Sequence, residues 1–119
     1  MTLTLFVVLL FLFSARLLAQ SDSATLSGRI TDATGAVIEG AQIVVGNDGT
    51  GFKATTLSNE SGVYVVPDLH PGTYKVTVNK TGFRQVILTG LVLNVQDALS
   101  QNFTLAIGPK TESVTVLSN

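Results

Sequence analysis

The chain has 119 residues, a formal net charge of −1, no cysteine, and charged side chains at only 13% of positions, about half the usual share for a globular domain. Without a basic run or stripe there is no electrostatic footprint for a phosphate backbone, so nucleic acid is excluded as a partner. The lack of cysteine excludes disulfides, thiolate metal sites, a cysteine nucleophile and a lipidated N-terminal cysteine.

In chain order, the first element is the unbroken apolar run Leu5 to Phe13, followed by Ser14-Ala15-Arg16-Leu17-Leu18-Ala19-Gln20. A membrane span needs about 20 apolar residues, and this run is far shorter. It fits the apolar centre of a secretory signal, with cleavage after Ala19. Residues 1–19 are therefore read as a signal peptide and 20–24 as a short polar linker. The product is expected to be exported: periplasmic, outer-membrane-associated or secreted, touching a membrane only through the signal.

From Thr25 onward the apolar period is two, punctuated by turn residues. Leu26, Gly28 and Ile30 mark a first strand, closed by Asp32-Ala33-Thr34-Gly35. Ala41 to Val45 and Phe52 to Leu57 flank the hairpin loop Gly46-Asn47-Asp48-Gly49-Thr50-Gly51. Val63 to Val66 is a fourth strand, expected to stop at Pro67. Tyr74, Val76 and Val78 then alternate with Thr73, Lys75, Thr77 and Asn79, which gives one dry and one wet face. Arg84 to Leu88 follows, then a set with Leu91, Leu93 and Val95 on one face. Asn102 to Ile107 is expected to turn Phe103, Leu105 and Ile107 inward, and Thr111 to Leu117 is a last extended segment. Seven or eight short strands with Gly and Pro turns, and no helical period, predict two stacked antiparallel sheets.

The run Leu26-Ser27-Gly28-Arg29-Ile30-Thr31-Asp32-Ala33-Thr34-Gly35-Ala36-Val37-Ile38-Glu39-Gly40-Ala41 resembles the opening of a carboxypeptidase regulatory-like domain. Gly62-Val63-Tyr64, Leu69-His70-Pro71-Gly72-Thr73-Tyr74 and Gly82-Phe83 follow in the family's order. The resemblance covers Thr25 to about Ile107 and implies an all-β fold: a seven-stranded antiparallel Greek-key β-sandwich, transthyretin-like and also described as carbohydrate-binding-like. It sets 25–107 as the domain and 108–119 as a C-terminal linker with a possible extra strand. Gly108-Pro109-Lys110-Thr111-Glu112-Ser113-Val114-Thr115-Val116 resembles the stretch that joins such a domain to the plug of a TonB-dependent receptor. The implied role is a non-catalytic accessory module, standalone or truncated. Its partner would be a protein, either a receptor plug and barrel or another cell-envelope component.

Chemistry-bearing constellations are sparse. The one histidine, His70, lies in a loop without a matching nucleophile or orienting carboxylate. Asp32, Asp48, Asp68 and Asp97 all fall in turns, where Asp is the standard residue, so a calcium site built from them is the weaker reading. No catalytic residue, metal or cofactor is expected, and the chain is read as a non-enzyme. A glycan is the alternative ligand, with Phe52 and Phe83 as its possible contacts. The strongest interaction feature is the segment carrying Val114 and Val116, which either pairs with a partner's sheet edge or completes the domain's own sheet.

Overall fold

The alternation becomes nine strands in a computed structural model that describes residues 3–4 and 22–118. They are β1 (Ala24–Asp32), β2 (Gln42–Asn47), β3 (Lys53–Leu57), β4 (Val63–Leu69), β5 (Gly72–Asn79), β6 (Val86–Leu93), β7 (Ala98–Ser100), β8 (Phe103–Leu105) and β9 (Val114–Leu117). The expected signal segment lies outside the described residues, apart from Leu3 and Thr4.

Two sheets form the expected sandwich. One has β1 at its centre, with β4 antiparallel on one side and β7 and β8 parallel, end to end, on the other. The second runs β3-β2-β5-β6-β9. If the two short pieces β7 and β8 are taken as one interrupted strand, seven strands make the sandwich and β9 is added outside it.

Inward side chains follow the period of two. Leu26 and Ile30 on β1, Ile43 and Val45 on β2, and Tyr74, Val76 and Val78 on β5 are fully buried. Each such aliphatic side chain contributes about 1.5–3 kcal/mol by leaving water. Two buried tyrosines keep their hydroxyls satisfied at the rim: Tyr74 donates to the His70 carbonyl (2.6 Å) and Tyr64 to the Gln101 carbonyl (2.6 Å). Burial pushes the Tyr64 phenol well above its ordinary pKa.

Turn side chains stop the strands as their chemistry predicts. The Asp32 carboxylate accepts from the Thr34 hydroxyl (2.6 Å) and from the Thr34 and Ala36 amides. Asn47 accepts from the Gly49 and Thr50 amides, and Asn59 from those of Ser61 and Val63.

Four expectations need correction. β4 does not stop at Pro67 but runs on to Leu69, opposite Ala24. It lies at a sheet edge, so proline's missing N–H costs no ladder bond, and a register shift with Asp68 at φ 59° absorbs the irregularity. Residues 86–93 form one strand, where two separate sets were expected. Gly90, at φ 72°, lies in a bulge opposite β5, so Leu88 and Leu91 both point inward although three residues apart. Val95 falls past the end of β6 and is 59% exposed. Ile107 is 81% exposed, because the chain has left β8 and only its backbone is held, in a bridge to Phe83.

Close approach explains the interruption between β7 and β8. The Gln101 amide donates to the Ser27 carbonyl (2.7 Å), which draws residue 101 over β1. A Cβ on Gly28 would collide with the Gln101 carbonyl and lie 2.9 Å from the Tyr64 ring, so only glycine fits beneath that crossing.

Candidate functional site

The two phenylalanines considered as ligand contacts sit at opposite ends of the five-stranded sheet. Phe52 is half exposed and its carbonyl accepts from the Asn47 amide, at the end where β2 pairs with Tyr74. Phe83 follows β5 at the other end, where Gln42 pairs with Asn79, and it packs partly against the core. The length of β2 separates them, so they do not form one platform.

His70 is exposed in the β4–β5 turn, where its backbone carbonyl rather than its ring is engaged. The four aspartates stay in their separate turns: Asp97 accepts from the Asn94 amide (2.8 Å), and the Asp48 amide donates to Thr73 (2.9 Å). Among the described residues no three His, Asp or Glu side chains come together as a metal-binding group.

Val114 and Val116 are brought together at the edge of the fold. Their strand, β9, runs parallel to β6 from the Val86–Val114 pair to the Thr89–Leu117 pair. The Val114 amide donates to Gln85 (2.8 Å) and the Ser118 amide to Thr89 (2.9 Å). Strand alternation then leaves the N–H and C=O groups of Thr115 and Leu117 pointing away from β6, unpaired by any described strand. All four β9 residues are exposed, Leu117 to 76%.

A groove of about 370 Å³ lies beside β9, on the side of the sandwich where β8 of one sheet faces β9 of the other. Val86, Leu88 and Phe103 line it from the core, Val114 and Val116 from β9, and Arg84 from its rim. Arg84 is paired with Glu112 at 3.0 Å, which fastens the β8–β9 crossover to the β5–β6 loop. Both partners are substantially exposed, so the pair adds at most about 1 kcal/mol.

The sheet edges differ in how they resist pairing. β4 carries Pro67 and a bulge, β7 and β8 are interrupted at Gln101, and β3 opens with Lys53. From Ser113 to Asn119 the sequence has neither charge nor proline. Charge, proline and bulges are the usual devices that keep an edge from accepting another strand, and β9 has none of them. The sequence raised two alternatives for this segment. β9 completes its own sheet, and no described strand pairs with its outer side.

Three comparisons bear on this arrangement. The sequence model of the carboxypeptidase regulatory-like domain matches residues 25–106. Among curated proteins, none matches the chain in sequence. Among solved structures, hydroxyquinol 1,2-dioxygenase from Pseudomonas putida DLL-E4 superposes with a TM-score of 0.58 at 11% identity, covering 76% of this chain and 58% of that one. A putative carbohydrate binding protein from Bacteroides uniformis ATCC 8492 gives a TM-score of 0.58 at 24% identity, covering 71% and 41%. The Bacillus anthracis TIE protein gives 0.61 at 16% identity, covering 72% and 17%. The chain thus spans less than two thirds of each of these proteins, and at such identities the likeness is one of fold.

That likeness corrects one expectation. The chain was read as a non-enzyme, yet the fold is shared with dioxygenases as well as with a putative binding protein. A sandwich of this shape therefore gives no ground for excluding catalysis.

Proposed function

The chain belongs to the carboxypeptidase regulatory-like domain family, and on that premise we propose that it is an exported accessory module that docks a protein partner by strand addition at β9. The observation that carries this reading is the uncharged outer edge of β9, with the Thr115 and Leu117 backbone groups free beside an apolar groove. Residues 108–116, which lead into that edge, resemble the connection to a receptor plug. They favour a place for the module like that of the N-terminal extension of a TonB-dependent outer-membrane receptor. Its partner would then be the plug and barrel or another cell-envelope component.

Hydrogen exchange on the full chain, mixed with the plug domain of a TonB-dependent receptor from the same source, tests the proposal. The Thr115 and Leu117 amides should gain protection, and Thr115→Pro, which removes one outward donor while leaving the β6 ladder paired, should abolish the gain. Unchanged exchange at both amides at saturating plug would refute it.

A second reading, a small carbohydrate- or ligand-binding module, draws on the fold shared with the Bacteroides uniformis protein. It predicts saturable binding of a sugar to the full chain, detected by calorimetry.

A further inference from the structure

Lysines gather at one place on the surface. Lys80 and Lys110, thirty residues apart in sequence, line one cleft of about 230 Å³ with Gly40, Gln42, Asn79 and Thr81. No carboxylate is among the lining residues. The side chains of Lys80 and Lys110 have no ion-pair or hydrogen-bond partner among the described residues, where the one ion pair joins Arg84 to Glu112. A Cβ built on Gly40 would stand 3.1 Å from Lys80 Nζ, so that ammonium lies directly over the backbone leading into β2.

Asn79 lines the same cleft. Its Oδ1 is buried without a hydrogen-bond partner, a condition that native folds rarely leave uncompensated. Its amide NH₂ carries two donors. The Lys80 and Lys110 ammonium groups and the Asn79 amide thus make a donor-rich wall, and the Thr81 hydroxyl and Gln42 amide add groups that both donate and accept.

We propose that this cleft is a binding site for an acidic sugar of the uronic-acid class. The carboxylate would lie between the two ammonium groups, and the ring hydroxyls would be taken by Asn79, Thr81 and Gln42. This deepens the second reading above and rests on it, and it is independent of docking at β9. A bare phosphate is the poorer fit: its binding sites converge several backbone N–H groups on one point, whereas these donors are spread along a shallow, open wall. The volume is below that of pockets for drug-sized ligands and suits a single ring. Lys110 sits on the crossover into β9, so an occupied cleft would also tether that segment.

The test is an amide-shift titration of the isotope-labelled full chain with glucuronic acid, glucose and inorganic phosphate in parallel. Glucuronate should shift Gly40, Gln42, Asn79, Lys80, Thr81 and Lys110 saturably, glucose should not, and phosphate should bind more weakly at the same residues. Lys80→Gln and Lys110→Gln should each lower glucuronate affinity on the order of tenfold, the effect of one charge-assisted hydrogen bond. Raised salt should weaken it further. The shifts of β5 and β6 report whether each variant remains folded. Three results would overturn the site: no saturable change at these residues, equal binding of phosphate, or an undiminished affinity in both folded variants. Saturable binding of any sugar elsewhere on the chain would remove this site while leaving the second reading standing. Silence with every sugar would end both.

Discussion

Replacing Ser58 by alanine tests the wiring beneath the lysine cleft. The Ser58 hydroxyl is buried and makes two bonds: it donates to the Ile38 carbonyl (2.7 Å) and accepts from the Ala41 amide (2.9 Å). Ile38, Ala41 and Ser58 are all less than 10% exposed, so water does not readily take the hydroxyl's place. Ser58→Ala therefore orphans one buried acceptor and one buried donor, each worth about 1–3 kcal/mol. Alanine adds little apolar area in return, so the net loss should be about 2–4 kcal/mol. For a domain of this size that lowers Tm by roughly 10–25 °C. Urea unfolding followed by far-UV circular dichroism measures it, with Ser61→Ala in the exposed β3–β4 turn as a control near zero. A loss below about 1 kcal/mol with an unchanged urea slope would refute the reasoning, because Ile38 and Ala41 would then have found other partners. The Gly40 amide donates to the Ser58 carbonyl (3.0 Å), so the cleft amides should also exchange faster in this variant.

Three further outcomes are expected. Gly28→Ala places a methyl against the Gln101 carbonyl and should cost about 2–3 kcal/mol in urea unfolding, with the β7 and β8 amides losing protection first. Tyr64→Phe removes the donor to Gln101 and should cost about 1–2 kcal/mol by the same assay, while Tyr64 in the wild type should yield no phenolate signal until the domain unfolds in alkali. Hydrogen bonds from the Thr34 hydroxyl and neighbouring amides hold the Asp32 carboxyl below its ordinary value of 3.8. Its stabilising contribution is therefore complete above that value and is lost as pH falls through the lower, folded-state value. Asp32→Asn should thus flatten the acid limb of the stability–pH curve, and an unaltered limb would refute the assignment.

The sandwich could be read from the chain because alternation and turn chemistry agree over most of it. Tyr74, Val76 and Val78 show the dry face of β5 directly, and Asp32, Asn47 and Asn59 mark turns that their side chains do cap. Where a bulge changes the period, the sequence misleads. Strict alternation assigns Leu88 and Leu91 to different strands because Gly90 adds a residue between them. Ile107 has the right parity for the core but no sheet above it. Tertiary placement hid the rest. Two ordinary lysines in separate turns carry no signal of convergence, and the distance between Phe52 and Phe83 appears only once β2 is given its register.

The central position of β1 governs when the molecule can fold. The Arg29 amide donates to Asn102 across 73 residues of sequence, and Asp32 is paired with Leu105. β1 can pair with β4 through residues 63–69, much as β2 pairs with β5, but its other side stays open until residue 105 has been delivered. Such long-range closure is slow, on the order of milliseconds to seconds for sandwiches. The sheet around β1 therefore closes last on the flank that β7 and β8 occupy, and the buried face of β1 is sealed from that side only when the C-terminal strands arrive.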